Sequence, residues 1–140
     1  DTADVDMSAM ALTALAAYKE DDEVKAAVDA ALVYLSDAQQ EDGGFISWGE
    51  PNSESCSQVI VALTALGIDP TSDERFIKEG GTVLDALCAF ACEGGGFRHS
   101  SDQAEPDGMA TEQGFYALAA YDCFRQGKTR LFDMTDIEVK

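Results

Sequence analysis

Two acidic residues, Asp4 and Asp6, are separated by one residue where the first predicted helix begins. A carboxylic acid with a raised pKa can transfer a proton, but it needs a supporting polar shell. Met7 follows directly and supplies no charge. The structural alternative is that Asp4 or Asp6 caps the helix N-terminus. We therefore assign no catalytic residue, and Asp6 is the nearest to a candidate.

Metal binding is the second chemistry to consider. His99 is the only histidine, and the four cysteines are Cys56, Cys88, Cys92 and Cys123. Zinc sites usually need three or four well-spaced nitrogen or sulfur ligands, so we predict no metal site. The cysteines lie among apolar residues in predicted helices. This position favours buried free thiols over a disulfide framework, which would be denser and based in loops.

Internal repetition is the clearest feature of the sequence. Gly43-Gly44-Phe45 recurs 52 positions later as Gly95-Gly96-Phe97. Ala14-Leu15, Ala65-Leu66 and Ala117-Leu118 form a second series with spacings of 51 and 52. Because two independent landmarks share one period, we interpret the chain as about two and a half copies of one helical hairpin.

The apolar spacing predicts five helices of two kinds. Three are apolar nearly all round, and the two between them have a charged side. This alternation predicts two layers, with inner helices covered on every side and outer helices facing water. A short turn is expected at residues 73–78 and an extended closing segment at 127–140. The predicted inner helices are Val5–Tyr18, Ser55–Leu66 and Met109–Arg125, and the outer ones are Asp22–Ala38 and Thr82–Cys92.

The loops from outer to inner helices contain the paired glycines. Glycine allows turns with positive φ, and the aromatic residue that follows can anchor the loop in the core. Gln39 stands four residues before Gly43, where its side chain can tie off a helix end. In the second copy Ala91 replaces Gln39. A structural role is expected for these residues, with direct ligand binding as the alternative.

Composition limits the classes of partner. The chain has 140 residues, of which 46% are hydrophobic and 26% charged, and its net charge is −18. Such a surface repels phosphate backbones and anionic headgroups, so nucleic acid and membrane surfaces are excluded as expected partners. No apolar run approaches the roughly 20 residues that span a bilayer.

The turn motif, Leu35-x3-Gln39 followed by Gly43-x-Phe45, resembles the repeat of the prenyltransferase/squalene-cyclase superfamily. That resemblance covers essentially the whole chain and implies an all-α fold, the α/α toroid. A closed toroid of this family needs about six hairpins. Residues 1–140 are therefore expected to be a single α/α-toroid fragment of a larger protein. A homodimer that covers the open edges of the fragment is expected as well.

One branch of this superfamily is enzymatic. Asp4-Val-Asp6-Met7-Ser-Ala9 is similar to the acid motif of class II terpene cyclases, in which Asp6 would stand at the proton-donor position. Met7 stands where that motif has its last aspartate. The resemblance thus implies a terpene cyclase- or prenyltransferase-like enzyme as an alternative, with an incomplete acid motif.

Another branch is non-catalytic. Residues 6–15 resemble a helix of the transcobalamin/intrinsic-factor α-domain, which implies cobalamin as a ligand. Residues 4–12, 53–63 and 109–113 also resemble repeat domains in surface proteins of Gram-positive bacteria. This resemblance implies an extracellular, non-catalytic ligand-binding or adhesion module at the cell surface.

A site is expected where the inner helices begin, because equivalent helix ends converge around a toroid axis and the glycine-rich loops rim the same mouth. Helix capping is the alternative for several of the polar residues there, Ser53, Glu54 and Ser55 among them. Trp48 is either a loop anchor or an exposed contact. The predicted ligand-binding residues are Asp4, Asp6, Trp48, Glu54, Gln58, Glu112, Gln113 and Tyr116.

Overall fold

The computed structural model describes residues 4–135 and residue 138, and it is mostly helical, as predicted. Two short antiparallel hairpins, which were not predicted, precede α3 and α4. Each of the hairpins leads the chain directly into a helix. The α-helices are α1 Val5–Leu15, α2 Asp22–Ala38, α3 Ser53–Leu66, α4 Val83–Ala89 and α5 Gly108–Arg125. The short elements are the 3₁₀ turns Ala16–Tyr18 and Glu74–Phe76 and the strands β1 Ile46–Ser47, β2 Glu50–Pro51, β3 Ile77–Lys78 and β4 Gly81–Thr82.

Side-chain caps decide where the helices begin. Asn52 Oδ1 accepts the N–H of Ser55 at 2.8 Å, so α3 begins at Ser53, two residues before the predicted start. Asp4 Oδ1 accepts the N–H of Met7 at 3.1 Å, so Asp4 is the aspartate that caps α1. Each such cap contributes about 1 kcal/mol. The five capping residues are Asp4, Asp21, Asn52, Thr82 and Asp107.

Helix α3 is the centre of the fold. It packs between α1 and α5, while α2 packs on α1 and α4 packs on α3. Every residue of α3 except Gln58 is buried, as expected for an inner helix. Gly67 ends it with φ of 81°, the left-handed conformation that glycine adopts without steric cost.

The prediction that α1 and α5 are also covered on every side is wrong. Met7 and Met10 of α1 are more than half exposed, and so are Met109 and Phe115 of α5. The reason is positional, because α1 and α5 stand at the two ends of the row: α1 packs against α3 and α2, α5 packs against α3, and each keeps an open side. The sequence of α1 is as apolar as that of α3, and that of α5 is more polar, but no helix of the described part of the chain covers the open side of either one.

The two Gly-Gly-Phe turns have the same backbone hydrogen bonds. In the first turn the N–H of Gln40 donates to the carbonyl of Gly44 at 2.9 Å. In the second the N–H of Cys92 donates to the carbonyl of Gly96, also at 2.9 Å. The repeat is therefore structural as well as sequential. The two aromatic anchors are buried, as predicted, and they are Phe45 and Phe97.

Gln39 ties the first turn to a neighbouring element. Its Nε2 donates to the carbonyl of Gly43 at 2.9 Å and to that of Phe76 at 3.1 Å. In the second copy the chain leaves α4 at Ala89, three residues before the predicted end. Ala91 pairs with Phe97 in a single β-bridge, and it has no side chain that could make the contacts of Gln39.

The C-terminal segment differs from the predicted extended strand over the residues described. Turns lie at residues 127, 131–132 and 135, the residues between them have no regular secondary structure, and residues 136, 137, 139 and 140 lie outside the described part of the chain. Leu131 packs against the core, and Phe132 contacts Tyr116 edge to face, with ring centroids 6.2 Å apart. None of the helices described combines the length and apolar character needed to cross a bilayer.

Candidate functional site

A groove runs along one side of the row formed by α1, α3 and α5. It consists of two adjoining hollows, of about 310 Å³ and about 460 Å³, that share Met10 and Gln58 as walls. We call them the polar half and the apolar half. The polar half is lined by Asp6, Met10, Ser47, Trp48, Glu50, Asn52, Glu54, Gln58, His99, Met109 and Gln113. The apolar half is lined by Met10, Thr13, Ala14, Ala17, Gln58, Val61, Tyr116, Arg130, Leu131 and Phe132.

Six of the eight predicted ligand-binding residues line this groove. The two exceptions are Asp4 and Glu112. Asp4 uses both carboxylate oxygens within the protein, because Oδ1 caps α1 and Oδ2 accepts a hydrogen bond from Ser47 at 3.1 Å. Glu112 is exposed and acts on the site only through its charge. The six residues that line the groove are Asp6, Trp48, Glu54, Gln58, Gln113 and Tyr116.

His99 is the main residue of the site that sequence reasoning missed. Its Nδ1 lies 2.9 Å and 2.8 Å from the two carboxylate oxygens of Glu54, and its Nε2 lies 3.4 Å from Glu50. Burial lowers the pKa of His99, but the contacts with Glu54 and then Glu50 outweigh it and raise that pKa above its usual range. The two carboxylates thus favour the cationic form of the imidazole.

Helix α3 and the second glycine-rich loop together position this pair. The N–H of Ser53 donates to the carbonyl of His99 at 3.0 Å. The hydroxyl of Ser53 donates to the carbonyl of Arg98 at 2.8 Å. The loop is therefore fixed on the first turn of α3, where Glu54 lies. Capping was the alternative role for Ser53 and Glu54. Instead, Ser53 holds the loop and Glu54 contacts His99, whereas Asn52 caps α3.

Between the two halves lies a hydrogen-bonded group of side chains. Gln58 Nε2 donates to Gln113 Oε1 at 2.9 Å and to the hydroxyl of Tyr116. Burial raises the pKa of Tyr116 to about 12, and the charge of Glu112 adds to the effect. Tyr116 is therefore a neutral phenol at physiological pH. The pair Gln58–Gln113 joins α3 to α5 at the floor of the groove.

Asp6 has an unusual environment on the α1 side. It lines the polar half, and its Oδ1 is buried without a hydrogen-bond partner among the described residues. A buried acceptor left unpaired costs about 1–3 kcal/mol.

Two strained aromatic residues mark the two halves. Among the described residues, Trp48 and Phe132 are the two non-glycine residues with positive φ, at 54° and 69°. Trp48 is 94% exposed and Phe132 is 68% exposed. The left-handed conformation costs a residue with a side chain roughly 1–2 kcal/mol. Trp48 is thus an exposed contact at the tip of the β1–β2 hairpin, and the loop-anchor alternative is wrong.

A separate hollow of about 440 Å³ lies between the first glycine-rich turn and α4. Its charged side chains bond to the protein itself. Arg98 Nη2 donates to the carbonyl of Ala89 at 2.7 Å, and Asp85 Oδ2 accepts the hydroxyl of Thr82 at 2.7 Å. None of the predicted site residues lines this hollow. These contacts account for Arg98 Nη2 and Asp85 Oδ2, whereas Arg98 Nε is buried without a hydrogen-bond partner among the described residues.

The cysteines do not form one chemical group. Cys56 is buried, Cys88 is exposed, and Cys92 and Cys123 are intermediate, so burial of all four is a wrong prediction. Within residues 4–135 and residue 138, His, Cys, Asp and Glu side chains form no group of three or more suited to hold a metal ion.

Comparison with models of protein families, with curated proteins and with solved structures gives no match for this chain. Function is therefore argued from the groove.

Proposed function

We propose that this chain is a non-catalytic ligand-binding module whose groove takes a small molecule. The observation that supports the proposal is the placement of Trp48 and Phe132. Both hold bulky rings in a strained backbone conformation, and each lines one half of the same groove. Strain of this kind is concentrated at ligand clamps and active sites. The combined size of the two hollows is within the usual range of small-molecule sites.

Titration with N-phenyl-1-naphthylamine, an uncharged fluorescent probe of apolar sites, tests this proposal. We expect saturable binding by the wild-type chain. Met10→Glu places a charge where the two halves meet and should weaken binding by about tenfold or more. Val33→Glu is the matched control, because Val33 is an exposed aliphatic residue of α2 outside the groove. Equal binding by both variants, or no saturable binding at all, would overturn the proposal.

We propose that the module belongs to a bacterial cell-surface protein and serves adhesion or ligand capture there. This proposal rests on the resemblance of residues 4–12, 53–63 and 109–113 to repeats of Gram-positive surface proteins. Protease treatment of intact cells that produce the complete protein tests it. Degradation of the protein on intact cells is expected, and full protection until lysis would contradict the assignment.

An enzyme of the terpene cyclase or prenyltransferase type is the second candidate. The observation in its favour is the buried Oδ1 of Asp6, which has no hydrogen-bond partner among the described residues and belongs to the hollow that adjoins the apolar half. The complete protein should be assayed with an isoprenoid substrate beside its Asp6→Asn variant. Turnover that Asp6→Asn abolishes would favour the enzyme, whereas no turnover, or equal turnover in both, excludes Asp6 as the acid.

Cobalamin is a further ligand that the resemblance implies. Titration of the complete protein with cobalamin, followed by the visible spectrum, tests it directly. A spectral change with retention on gel filtration is expected of a corrinoid site, and an unchanged spectrum without retention excludes one.

We further propose that the row of α1, α3 and α5 is part of an α/α toroid. The exposed apolar faces of α1 and α5 support this proposal, because patches of this kind usually mark interaction sites. In the isolated chain, a second copy can cover the exposed apolar faces of α1 and α5, so light scattering should give the mass of a dimer. A mass that corresponds to a monomer would contradict this dimer.

A further inference from the structure

We infer that the ligand is a small amphipathic ammonium, with its charged nitrogen in the polar half and its apolar chain in the apolar half. This inference rests on the proposed binding function and names the chemistry of the ligand. It follows from three features of the groove: its charge, its exposed indole and its apolar far end.

Negative charge dominates the polar half. The carboxylates of Asp6, Glu50 and Glu54 line it together with one imidazole, that of His99. His99 contacts Glu54 and Glu50, whereas Asp6 forms no ion pair among the described residues. Asp6 therefore brings an unbalanced negative charge to the wall of the polar half, and an ammonium group in the hollow supplies the opposite charge.

The indole of Trp48 lies at the rim of the same hollow. At 94% exposure its faces are free of protein contacts to a degree that is unusual for tryptophan. An organic cation is attracted to the face of an aromatic ring, most strongly to tryptophan. Asp6 and Trp48 therefore offer two different attractions to one positively charged group.

The apolar half suits a hydrocarbon chain. Its walls are small and apolar on α1, and Leu131 and Phe132 of the C-terminal segment complete them. The one cation there, Arg130, is paired with Asp133 at 3.0 Å. An anionic headgroup would therefore have to displace Asp133, whereas an alkyl chain has to displace only water.

Three probes with the same eight-carbon chain separate these effects: octylammonium, octyl sulfate and 1-octanol. Binding can be followed by calorimetry and by the fluorescence of Trp48, which is the only tryptophan in the chain. We expect octylammonium to bind about tenfold more tightly than 1-octanol, and octyl sulfate to bind least tightly.

Two variants with equal change in net charge provide the control for general attraction to an acidic protein. Asp6→Asn should remove about tenfold of the octylammonium affinity and leave that of 1-octanol unchanged. Asp37→Asn, at an exposed position of α2 away from the groove, should leave both affinities unchanged. Trp48→Gly, measured by calorimetry, should also reduce the preference for octylammonium over 1-octanol.

The inference is overturned if octyl sulfate or 1-octanol binds as tightly as octylammonium. It is also overturned if Asp6→Asn and Asp37→Asn weaken octylammonium binding equally, since that result indicates non-specific attraction. Saturable binding of N-phenyl-1-naphthylamine together with either result leaves the proposed binding function standing. If neither N-phenyl-1-naphthylamine nor octylammonium binds the wild-type chain, the proposed binding function is overturned as well.

Discussion

The imidazole of His99 and the carboxylate of Glu54 form a close pair across 45 residues of chain, with Nδ1 between 2.8 and 2.9 Å from the two oxygens. This pair fixes the second glycine-rich loop against the start of α3. It also determines which charges in the polar half are already balanced before a ligand arrives.

The pair makes a prediction for the titration of His99. Because the contacts with Glu54 and Glu50 outweigh burial, the pKa of His99 in the folded protein should lie above 6.5. The contacts of protonated His99 then stabilise the fold fully below pH 6.5. This stabilisation is lost as the pH rises through the pKa of His99 in the folded protein. A single imidazole resonance reports it by NMR, since His99 is the only histidine. Glu54→Gln should lower the pKa, Glu105→Gln in the same loop should not, and a wild-type pKa at or below 6.5 contradicts the interpretation.

Trp48→Gly separates stability from binding. Glycine adopts the left-handed conformation at this position freely, so the variant should be more stable by about 1 kcal/mol. The same change removes the exposed ring and should weaken ligand binding. Denaturant unfolding and calorimetry measure the two effects. A variant that loses stability would show that the indole supports the fold rather than the groove.

Gln39→Ala tests the turn of the first repeat. The side chain is buried, and its removal leaves the carbonyls of Gly43 and Phe76 without that donor. We expect a loss of about 2 kcal/mol in the free energy of unfolding. Gln40→Ala is the control, because Gln40 is exposed, and its loss should be within about 0.5 kcal/mol. Similar losses in both variants would mean that the buried hydrogen bonds contribute little.

Gly114→Ala should destabilise the protein, although alanine usually stabilises a helix relative to glycine. A Cβ at Gly114 would lie 2.4 Å from the ring of Phe97, so we expect a loss of about 1–3 kcal/mol from overpacking. At Gly108, the first residue of the same helix, a Cβ would meet nothing within 4 Å. Gly108→Ala should therefore be neutral or stabilise by up to about 1 kcal/mol. If thermal denaturation shows that both changes stabilise, Phe97 is not anchored as described.

The cysteines should differ in reactivity with iodoacetamide. Burial raises the pKa of Cys56 to about 12, partly offset by a backbone hydrogen bond with Phe45, so its thiol should react only after unfolding. Cys88 is exposed and should be alkylated first in the native protein. Peptide mapping by mass spectrometry identifies the products, and Cys88→Ser should remove the earliest one. Early alkylation of Cys56 would disprove its burial.

Local sequence determined much of the helical framework. The helix Asp22–Ala38 has the predicted bounds, because its acidic first turn, apolar stripe and C-terminal glutamine are all read from neighbouring residues. The two Gly-Gly-Phe turns were equally readable, since their hydrogen bonds close within five residues. The six predicted residues that do meet in the groove follow from that repeat, which places equivalent helix starts side by side.

Tertiary structure alone decided the rest. Periodicity could not show that α1 and α5 have open faces, because burial depends on which neighbours are present and not on the residues of the helix itself. Nor could it join His99 to Glu54 or bring Phe132 to Tyr116, since these pairs are far apart in the chain. The sequence by itself determined the repeat and, to within two residues, where its helices begin, because those depend on short-range hydrogen bonds and apolar spacing. The charge and walls of the groove depend on long-range contacts, which only the folded chain provides.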